Sequence, residues 1–275
     1  DNNEIGKLKE YLEFEAEKLK ETDIESLRVQ LLNYSAPEFS LKNNAESNSQ
    51  FETESLLSEL NEKTFSKLKQ FAKDSGYSIF NVISCVWAVL VAKYCNQDKV
   101  ILSFPIGIRA KQYVDIKGCF VNTLLSFFDL EGNIFDMLGN NRSKVIKENK
   151  YLSILELNQE SDFKLPSVSI AETGLRLVGP TLTKKYESKT SLNIGSSDLL
   201  LEFEYSYISF KYMIHSVKNL FDIDGLNRIN LQFLELLNKI LDTPQIDLRK
   251  LSILTALEYQ TIVYDWNKTE APYPK

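Results

Sequence analysis

The residue best suited to acid–base chemistry is His215, the only histidine in the chain. It follows the strand-like sequence SFKYMI at positions 209–214 and precedes Asp222 and Asp224. An imidazole changes its charge near neutral pH and can therefore act as a general base. The composition permits a Ser-His-Asp arrangement, but the sequence has no G-x-S-x-G turn to present a nucleophilic serine. A lone histidine at a strand end favours a structural or solvated side chain, with a general base as the alternative.

Metal ions and phosphate groups have no recognisable motif in this sequence. The three cysteines (Cys85, Cys95 and Cys119) are odd in number and include no C-x-x-C pair. They predict neither a disulfide framework nor a zinc site. Gly107 and Gly118 stand alone, so no glycine-rich phosphate loop is predicted. The residues alone therefore predict no self-contained catalytic constellation, no metal site and no directly bound cofactor.

Charge and hydropathy narrow the classes of partner. The 275 residues carry a formal net charge of −6 and no concentrated basic run, so we expect no binding to nucleic acid or to an anionic membrane. The sequence shows no signal peptide and no apolar run of about 20 residues. Reduced thiols and a cytoplasmic location are expected. The chain opens with Asp1 rather than Met and closes on a Pro-rich stretch, which suggests a piece of a longer protein.

Residues 78–123 contain the elements that must hold any site in place. Residues 79–94 are almost all apolar but too few to cross a bilayer, which predicts a helix buried on most sides, with Ser78 as its N-cap. Cys85 lies within this helix and is expected to be a small core residue. Strands are predicted for residues 100–104, ended by Pro105, and for residues 120–128.

Further elements surround this unit. Apolar residues at helical spacing predict an opening helix with Ile5, Leu8 and Leu12 on its apolar side, and Asp224 is expected to cap a later helix. The predicted fold class is α/β, and more specifically an α+β two-layer sandwich in which helices cover a mixed sheet. The other predictions are a helix capped by Asp23 and ended by Pro37, a loop at 40–50, a strand at 51–60, helices at 62–74 and 134–149, a loop at 159–166, a strand at 167–170, an excursion at 172–189, two antiparallel strands within 199–213, a helix at 224–241, an extended piece at 248–254 and a helix at 257–266.

Three blocks of sequence resemble the condensation domains of nonribosomal peptide synthetases. GCFVNTL at 118–124 resembles the family motif G-x-F-V-N-T. YCNQDKV at 94–100 and FPIGIR at 104–109 are similar to the family's Y-x-x-Q-D-x-V and x-P-x-x-x-R. LFD at 220–222, the helix after it and LSILT at 251–255 resemble the family's closing segment. Residues 258–274 resemble the linker that joins a condensation domain to the next adenylation domain.

The resemblance implies one half of a chloramphenicol acetyltransferase-like fold. Condensation domains have two such lobes and carry a His-His-x-x-x-Asp-Gly motif in the N-terminal lobe, which a chain with one histidine lacks. Residues 1–254 are thus implied to be the C-terminal lobe, with 1–50 connecting the lobes and 255–275 leading toward an adenylation domain. The complete domain joins an acyl thioester to an amine. Each substrate is carried on the phosphopantetheine arm of a carrier protein, and both arms enter a tunnel between the lobes.

The resemblance also implies four residues at the tunnel or lobe interface, and no catalytic residue. Arg109 matches the arginine that can lie near the catalytic Asp across the lobe interface, and Phe120 lies in the G-x-F-V-N-T motif. Asn122 and Thr123 match positions near the tunnel, although Asn122 has the equal alternative of a strand-end amide that satisfies backbone groups. Two family segments are not recognisable, H-Q-D-x-P-F near 149–153 and R-D-x-S-R around 160–166. Residues 172–189 fall where the family's latch crosses to the other lobe.

Three functions are compatible with these observations. The first is the C-terminal lobe of an amide-forming condensation domain, inactive alone. The second is a truncated module that docks carrier proteins or synthetase domains without catalysis, and the third is an independent acyltransferase that uses His215. A lone lobe is also expected to expose an apolar patch of several hundred Å² and to self-associate.

Overall fold

The computed structural model describes residues 2–20, 29, 31–39, 53–118, 120–140, 151, 167–172 and 197–268. Within these residues, six strands form one mixed sheet. The helices are α1 (Asn2–Lys20), α2 (Glu62–Ser75), α3 (Ile79–Cys95), α4 (Ile134–Asn140), α5 (Ile223–Asp242) and α6 (Ala256–Tyr259), the last continued by a π-helical turn (Gln260–Asp265); the strands are β1 (Thr53–Glu59), β2 (Lys99–Gly107), β3 (Val121–Asp129), β4 (Val168–Glu172), β5 (Leu199–Tyr205) and β6 (Phe210–Val217). α2, α3 and α5 pack on one face of the sheet, and Leu19 of α1 packs on the other face against Ile101 and Leu125.

The strand order across the sheet is β1-β6-β5-β4-β2-β3. β4 runs parallel to β2 and to β5, and the other neighbours are antiparallel. The two strands predicted within residues 199–213 are confirmed as β5 and β6, joined by a turn in which the Ser206 N–H donates to the Ser209 carbonyl at 2.9 Å. The predicted mixed sheet covered by helices, a two-layer α+β arrangement, is thereby confirmed.

α3 lies at the centre of the core. All residues from Val82 to Ala92 are buried, and the helix packs against both β2 and α5. The predicted N-cap is confirmed, since the Ser78 Oγ accepts the Asn81 N–H at 3.1 Å. Burying a large apolar side chain stabilises a fold by about 1.5–3 kcal/mol, so this helix contributes much of the driving force for folding. Within the described residues no single helix is long and apolar enough to cross a membrane, although α2 and α3 together, with a bend of 109°, would pass that test.

The prediction that Pro105 ends a strand is wrong, because β2 continues to Gly107. The Ile108 N–H donates to the Phe120 carbonyl at 2.9 Å. Since N–H groups alternate in direction along a strand, the Pro105 nitrogen points away from β3, opposite Thr123 in a pair without hydrogen bonds. Proline lacks an N–H, and at this position none is needed to bond β3.

The opening helix is confirmed, but its buried face differs from the predicted one. Ile5, Leu8 and Leu12 are 67%, 40% and 54% exposed, whereas Tyr11 is buried and Phe14 is half-buried. The aromatic rings bury more area than the aliphatic side chains, and Tyr11 packs edge-on against other rings at the end of the sheet. α1 therefore packs on the sheet through its aromatic residues.

One detail of α5 corrects the sequence-based picture. The helix begins at Ile223 and is capped by Asp222, whose Oδ1 accepts the Gly225 N–H at 2.8 Å, so the predicted cap at Asp224 is wrong. Asp222 has the extended backbone of an N-cap, while Asp224 already lies in the first turn. Leu231 is 57% exposed because it lies opposite the buried stripe of a helix with 3.6 residues per turn. Gln232 is buried instead.

Most other elements match their predictions. The strand at 51–60, the helix at 62–74, the strand at 120–128, the strand at 167–170 and the helix at 257–266 are confirmed with small shifts of boundary. The piece at 248–254 begins with a 3₁₀ turn rather than an extended segment. Several predictions lie outside the described residues: the cap at Asp23, the loops at 40–50 and 159–166, the second half of the helix at 134–149, the side chain of Cys119 and the excursion at 172–189, except that Glu172 ends β4.

Candidate functional site

Arg109 holds together the connection between β2 and β3, which spans residues 108–120 and is called the arch. Its Nη1 donates to the carbonyls of Val114 and Ile116 at 2.9 and 2.5 Å, and its Nη2 donates to the Gly118 carbonyl at 3.2 Å. A guanidinium has five N–H donors, so these bonds leave the Nε–H and one Nη2–H without a partner in the described part of the chain. The side chain is exposed. Arg109 therefore fixes the arch while keeping two donors turned to the surroundings.

Phe120 lies beneath Arg109 and connects it to α1. The Arg109 guanidinium carbon lies 4.1 Å from the centre of the Phe120 ring, and the Tyr11 ring meets the same ring edge-on at 4.7 Å. Tyr113 packs edge-on against Tyr11 at 5.3 Å, which ties the arch to the helix a second time. The structure thus brings Arg109 and Phe120 together in one cluster, although they are eleven residues apart in the sequence.

Tyr11 is the most deeply buried tyrosine of this cluster, with 3% exposure. Its hydroxyl has no hydrogen-bond partner among the described residues. Burial, reinforced by the negative charge of Glu15, raises the pKa of Tyr11 to about 12. Sequence reasoning missed this residue, because its position on α1 lies beside the aliphatic stripe that the helical pattern favoured.

Asn122 and Thr123 lie next to Phe120, at the start of β3. The Asn122 Oδ1 accepts the N–H of Thr123 at 2.8 Å. That N–H points away from β2, on the edge of the described sheet, because Thr123 and Pro105 form a pair without hydrogen bonds. The alternative considered for Asn122, an amide that satisfies a backbone group, therefore describes one contact that this side chain makes. Thr123 is exposed.

A second polar cluster fastens α6 to the rest of the fold. The Tyr94 hydroxyl donates to the Gln232 Oε1 at 2.6 Å, and the Gln232 Nε2 donates to both carboxylate oxygens of Glu258 at 3.0 and 3.1 Å. Glu258 also accepts the Thr255 N–H at 2.9 Å, in a capping box. Burial opposes ionisation of Glu258, but the hydrogen bonds from Thr255 and Gln232 and the nearby Arg228 outweigh it and lower the pKa. The segment expected to be a linker thus begins with a firmly anchored helix.

His215 lies inside β6 rather than after a strand, so its predicted position is wrong. The strand extends three residues beyond the strand-like sequence at 209–214, to Val217. His215 is 4% exposed, and its ring nitrogens contact the Ser55 hydroxyl and the Glu202 carboxylate. Asp222 caps α5 and contributes nothing to this contact. In the described residues, no group of three or more His, Cys, Asp or Glu side chains could hold a metal ion.

Large apolar side chains are exposed at several places on the described surface. They lie on α1, at the turn between β5 and β6, where Tyr207 and Ile208 are 93% and 86% exposed, and on the last helical segment, where Leu257 and Trp266 are 76% and 70% exposed. Exposed apolar side chains were expected of a lone lobe, while the size of one continuous patch and the self-association stay predictions.

Comparison with protein families gives a match over nearly the whole chain. The family model of the condensation domain matches residues 6–263. Among curated proteins, bacitracin synthase 1 of Bacillus licheniformis is 24% identical over 249 residues, and gramicidin S synthase 2 of Aneurinibacillus migulanus is 25% identical over 230 residues. These matches cover 82% and 75% of this chain but only 4% and 5% of those proteins.

Solved structures share the fold. A four-domain nonribosomal peptide synthetase bound to AMP and glycine superposes with a TM-score of 0.69 at 16% identity, over 82% of this chain and 20% of that one. The X-domain in complex with OxyB from teicoplanin biosynthesis gives 0.69 at 13% identity, over 84% and 55%. The first condensation domain of the calcium-dependent antibiotic synthetase gives 0.61 at 12% identity, over 82% and 52%. The expected fold, one half of a chloramphenicol acetyltransferase-like architecture, is thereby confirmed.

Proposed function

The chain belongs to the condensation domain family, and from this premise we propose that it is the C-terminal lobe of an amide-forming condensation domain in a nonribosomal peptide synthetase. The main support is a mismatch of lengths. The family model matches residues 6–263, yet the 82% of the chain that superposes covers only 52% of a condensation domain of known structure. A chain with one histidine also lacks the family's His-His-x-x-x-Asp-Gly motif. This lobe therefore needs an N-terminal lobe that supplies the catalytic histidines.

In the proposed reaction, the amine of an aminoacyl acceptor attacks the thioester carbonyl of an acyl donor. An amide bond forms, the carbon–sulfur bond breaks, and the thiol of the donor's phosphopantetheine arm is released. Both arms belong to carrier proteins, which are the proposed partners together with the N-terminal lobe and a downstream adenylation domain. This chain contributes a wall of the tunnel and the register of the two lobes.

Arg109 is the residue that we assign to lobe register. Three of its donors hold the arch, and the Nε–H and one Nη2–H match the two bonds that a bidentate carboxylate accepts. An aspartate of the N-terminal lobe fits this position. Phe120 supports the guanidinium from below, and Asn122 and Thr123 continue the same edge toward the tunnel. None of the four is assigned a chemical step.

We propose residues 1–254 as the lobe and residues 255–275 as the linker. Glu258 holds the start of the linker against α5, so the following domain would leave the lobe in a defined direction. The cytoplasmic location expected from the sequence stays a prediction.

The first test is the encoded reading frame, compared with the intact mass and terminal sequence of the protein. We expect a longer parent with a His-His-x-x-x-Asp-Gly lobe immediately upstream. In that parent, Arg109→Ala is expected to lower the rate of amide formation at least tenfold, whereas Lys111→Ala, which removes an exposed cation of the same arch, leaves it within about twofold. A parent without the histidine motif would exclude the proposal.

The second candidate function is a module that docks proteins without forming an amide bond. Its support is the X-domain, a chain of this fold that was solved in complex with OxyB, and the exposed apolar side chains described above. A gene that begins near Asp1 would favour this function. Binding of a carrier protein by the full 275-residue chain, measured by calorimetry, would then be the activity to establish.

A further inference from the structure

Ser55 and His215 face each other across β1 and β6, on the side of the sheet opposite α2, α3 and α5. The two residues are directly paired in the antiparallel register. Because the Leu60 N–H donates to the Phe210 carbonyl, the alternation of the ladder makes Ser55–His215 a pair without hydrogen bonds between their backbones. Such pairs have the closest side chains in a sheet. The Ser55 Oγ accordingly lies 2.8 Å from the His215 Nδ1.

Glu202 fixes the tautomer of this histidine. Its Oε2 lies 3.1 Å from the His215 Nε2, diagonally across from β5. A carboxylate is an acceptor only, so Nε2 keeps the ring proton and donates a hydrogen bond to Glu202. Nδ1 is then the basic nitrogen, and it accepts the hydrogen bond of the Ser55 hydroxyl. The three side chains have the relation of nucleophile, base and orienting carboxylate.

Acyl transfer requires a nucleophile that solvent and substrate can reach and a base that is more protected, and the solvent exposure of the three side chains follows this order. Ser55 is exposed, while His215 is 4% exposed and Glu202 is half-buried. The same alternation of the ladder directs the backbone N–H groups of Ser55 and Leu57 away from β6, toward the open edge of the described sheet. These N–H groups can donate hydrogen bonds to an oxygen that becomes negative beside Ser55.

Apolar side chains border the pair on the same face. Leu57, two residues after Ser55 on β1, is 65% exposed, and Met213, two residues before His215 on β6, is half-buried and directly paired with Leu57. Side chains at i±2 on a strand share a face, so Leu57 and Met213 form an apolar margin beside the hydroxyl. A short hydrocarbon chain fits such a margin better than a charged group does.

We propose that Ser55, His215 and Glu202 form a Ser–His–Glu acyl-transfer site that accepts esters or thioesters of short apolar acids. The Ser55 Oγ attacks the carbonyl carbon while His215 Nδ1 takes the hydroxyl proton. The bond to the leaving alkoxide or thiolate breaks, and that group takes the proton from His215. Water then attacks the acyl-Ser55 ester, with its proton passing through His215, and releases the carboxylic acid and free Ser55. Glu202 is a positioning residue throughout.

This activity is independent of the proposed condensation reaction, because it needs no N-terminal lobe and no carrier protein. The test uses the full 275-residue chain and a fluorophosphonate with a short alkyl chain. Attack of Ser55 on phosphorus releases fluoride and leaves a phosphonyl group on the serine. Peptide mapping is expected to find that group on Ser55. A chain labelled at no serine, or equally at many surface hydroxyls, overturns the proposal without any variant.

Variants then separate catalysis from folding. Ser55→Ala is expected to abolish labelling, and His215→Ala to slow it by about 10²-fold or more, the usual contribution of a general base. Thr53→Ala, on the same strand and face but opposite Val217, is the matched control and should label at the unmodified rate. Glu202→Gln is expected to slow labelling and Glu202→Asp to restore part of it. Unchanged labelling of Ser55 in folded His215→Ala would refute the role of the histidine. Hydrolysis of p-nitrophenyl butanoate should follow the same order of variants.

Discussion

Replacement of Tyr11 by phenylalanine is expected to stabilise the protein, which is the opposite of the usual effect of a core substitution. The Tyr11 ring packs edge-on against Phe120 at 4.7 Å and against Tyr113 at 5.3 Å, and phenylalanine preserves both contacts. The hydroxyl is buried, and the part of the chain that the structure describes offers it no hydrogen-bond partner. A buried polar group without a partner costs about 1–3 kcal/mol, so its removal should raise the free energy of unfolding by about 1 kcal/mol.

Tyr94 provides the matched comparison. Its hydroxyl donates to the Gln232 Oε1 at 2.6 Å, and Gln232 is 3% exposed. Tyr94→Phe removes the same atom but leaves a buried acceptor without its partner, which should lower the free energy of unfolding by about 1–3 kcal/mol. The two identical chemical changes are thus expected to shift stability in opposite directions, by a difference of about 2–4 kcal/mol when the two effects are combined.

Urea unfolding followed by circular dichroism measures this difference, provided that the dependence of the free energy on urea is the same in both variants. Tyr11→Phe should move the midpoint to a higher urea concentration and Tyr94→Phe to a lower one. If Tyr11→Phe destabilises the chain as much as Tyr94→Phe does, the Tyr11 hydroxyl has a partner in solution, and the description of the aromatic cluster is wrong.

Three further changes test other parts of the fold. Folding lowers the pKa of Glu258, so the stabilisation that its carboxylate provides is present above the ordinary carboxyl value of 4.5 and should be lost as the pH falls below it. In urea unfolding, the unmodified chain should therefore lose more stability on acidification than Glu258→Gln, which lacks this carboxylate. Equal losses would contradict the assignment. Gly76→Ala should destabilise the chain by about 1 kcal/mol in thermal unfolding, because Gly76 has φ +73; the space around its Cβ position is open, so the cost comes from the backbone alone. Asn96 ends α3 in the same left-handed conformation with φ 51, so Asn96→Gly should be nearly neutral. Burial raises the pKa of Cys95 to about 12, so its alkylation by iodoacetamide should be far slower than that of a free thiol at about pH 8 and should accelerate as the pH rises; alkylation at the free-thiol rate would contradict this burial.

The sequence predicted the elements whose signal is local. α3 was recognisable because nearly all its side chains are apolar, and its cap follows from a rule that involves only a few adjacent residues. The motif at 118–124 also located Phe120 and Asn122 correctly at the start of β3. Local patterns indicated the wrong buried face of α1, because Tyr11 and Phe14 find partners more than 90 residues away.

The contacts between polar side chains that could take part in chemistry depend on the register between paired strands, which cannot be read from one segment of the sequence alone. Ser55 and His215 are 160 residues apart and meet because β1 and β6 pair with one particular offset. A shift of one residue would turn His215 to the opposite face of the sheet. The sequence therefore placed the histidine near carboxylates that it does not contact, Asp222 and Asp224, and missed Glu202, which it does.

The two faces of the sheet have different roles, and this difference decides how variants should be interpreted. α2, α3, α4 and α5 bury one face of the sheet in a single apolar core. Ser55, Glu202 and Arg109 lie outside that core, so their replacement removes few apolar contacts and should change activity or binding more than stability. The proposed acyl-transfer site consists of this chain's own residues, whereas the proposed role of Arg109 requires an N-terminal lobe. Labelling of Ser55 in the isolated chain and the effect of Arg109→Ala in the parent therefore test the two proposals separately, and either can fail without the other.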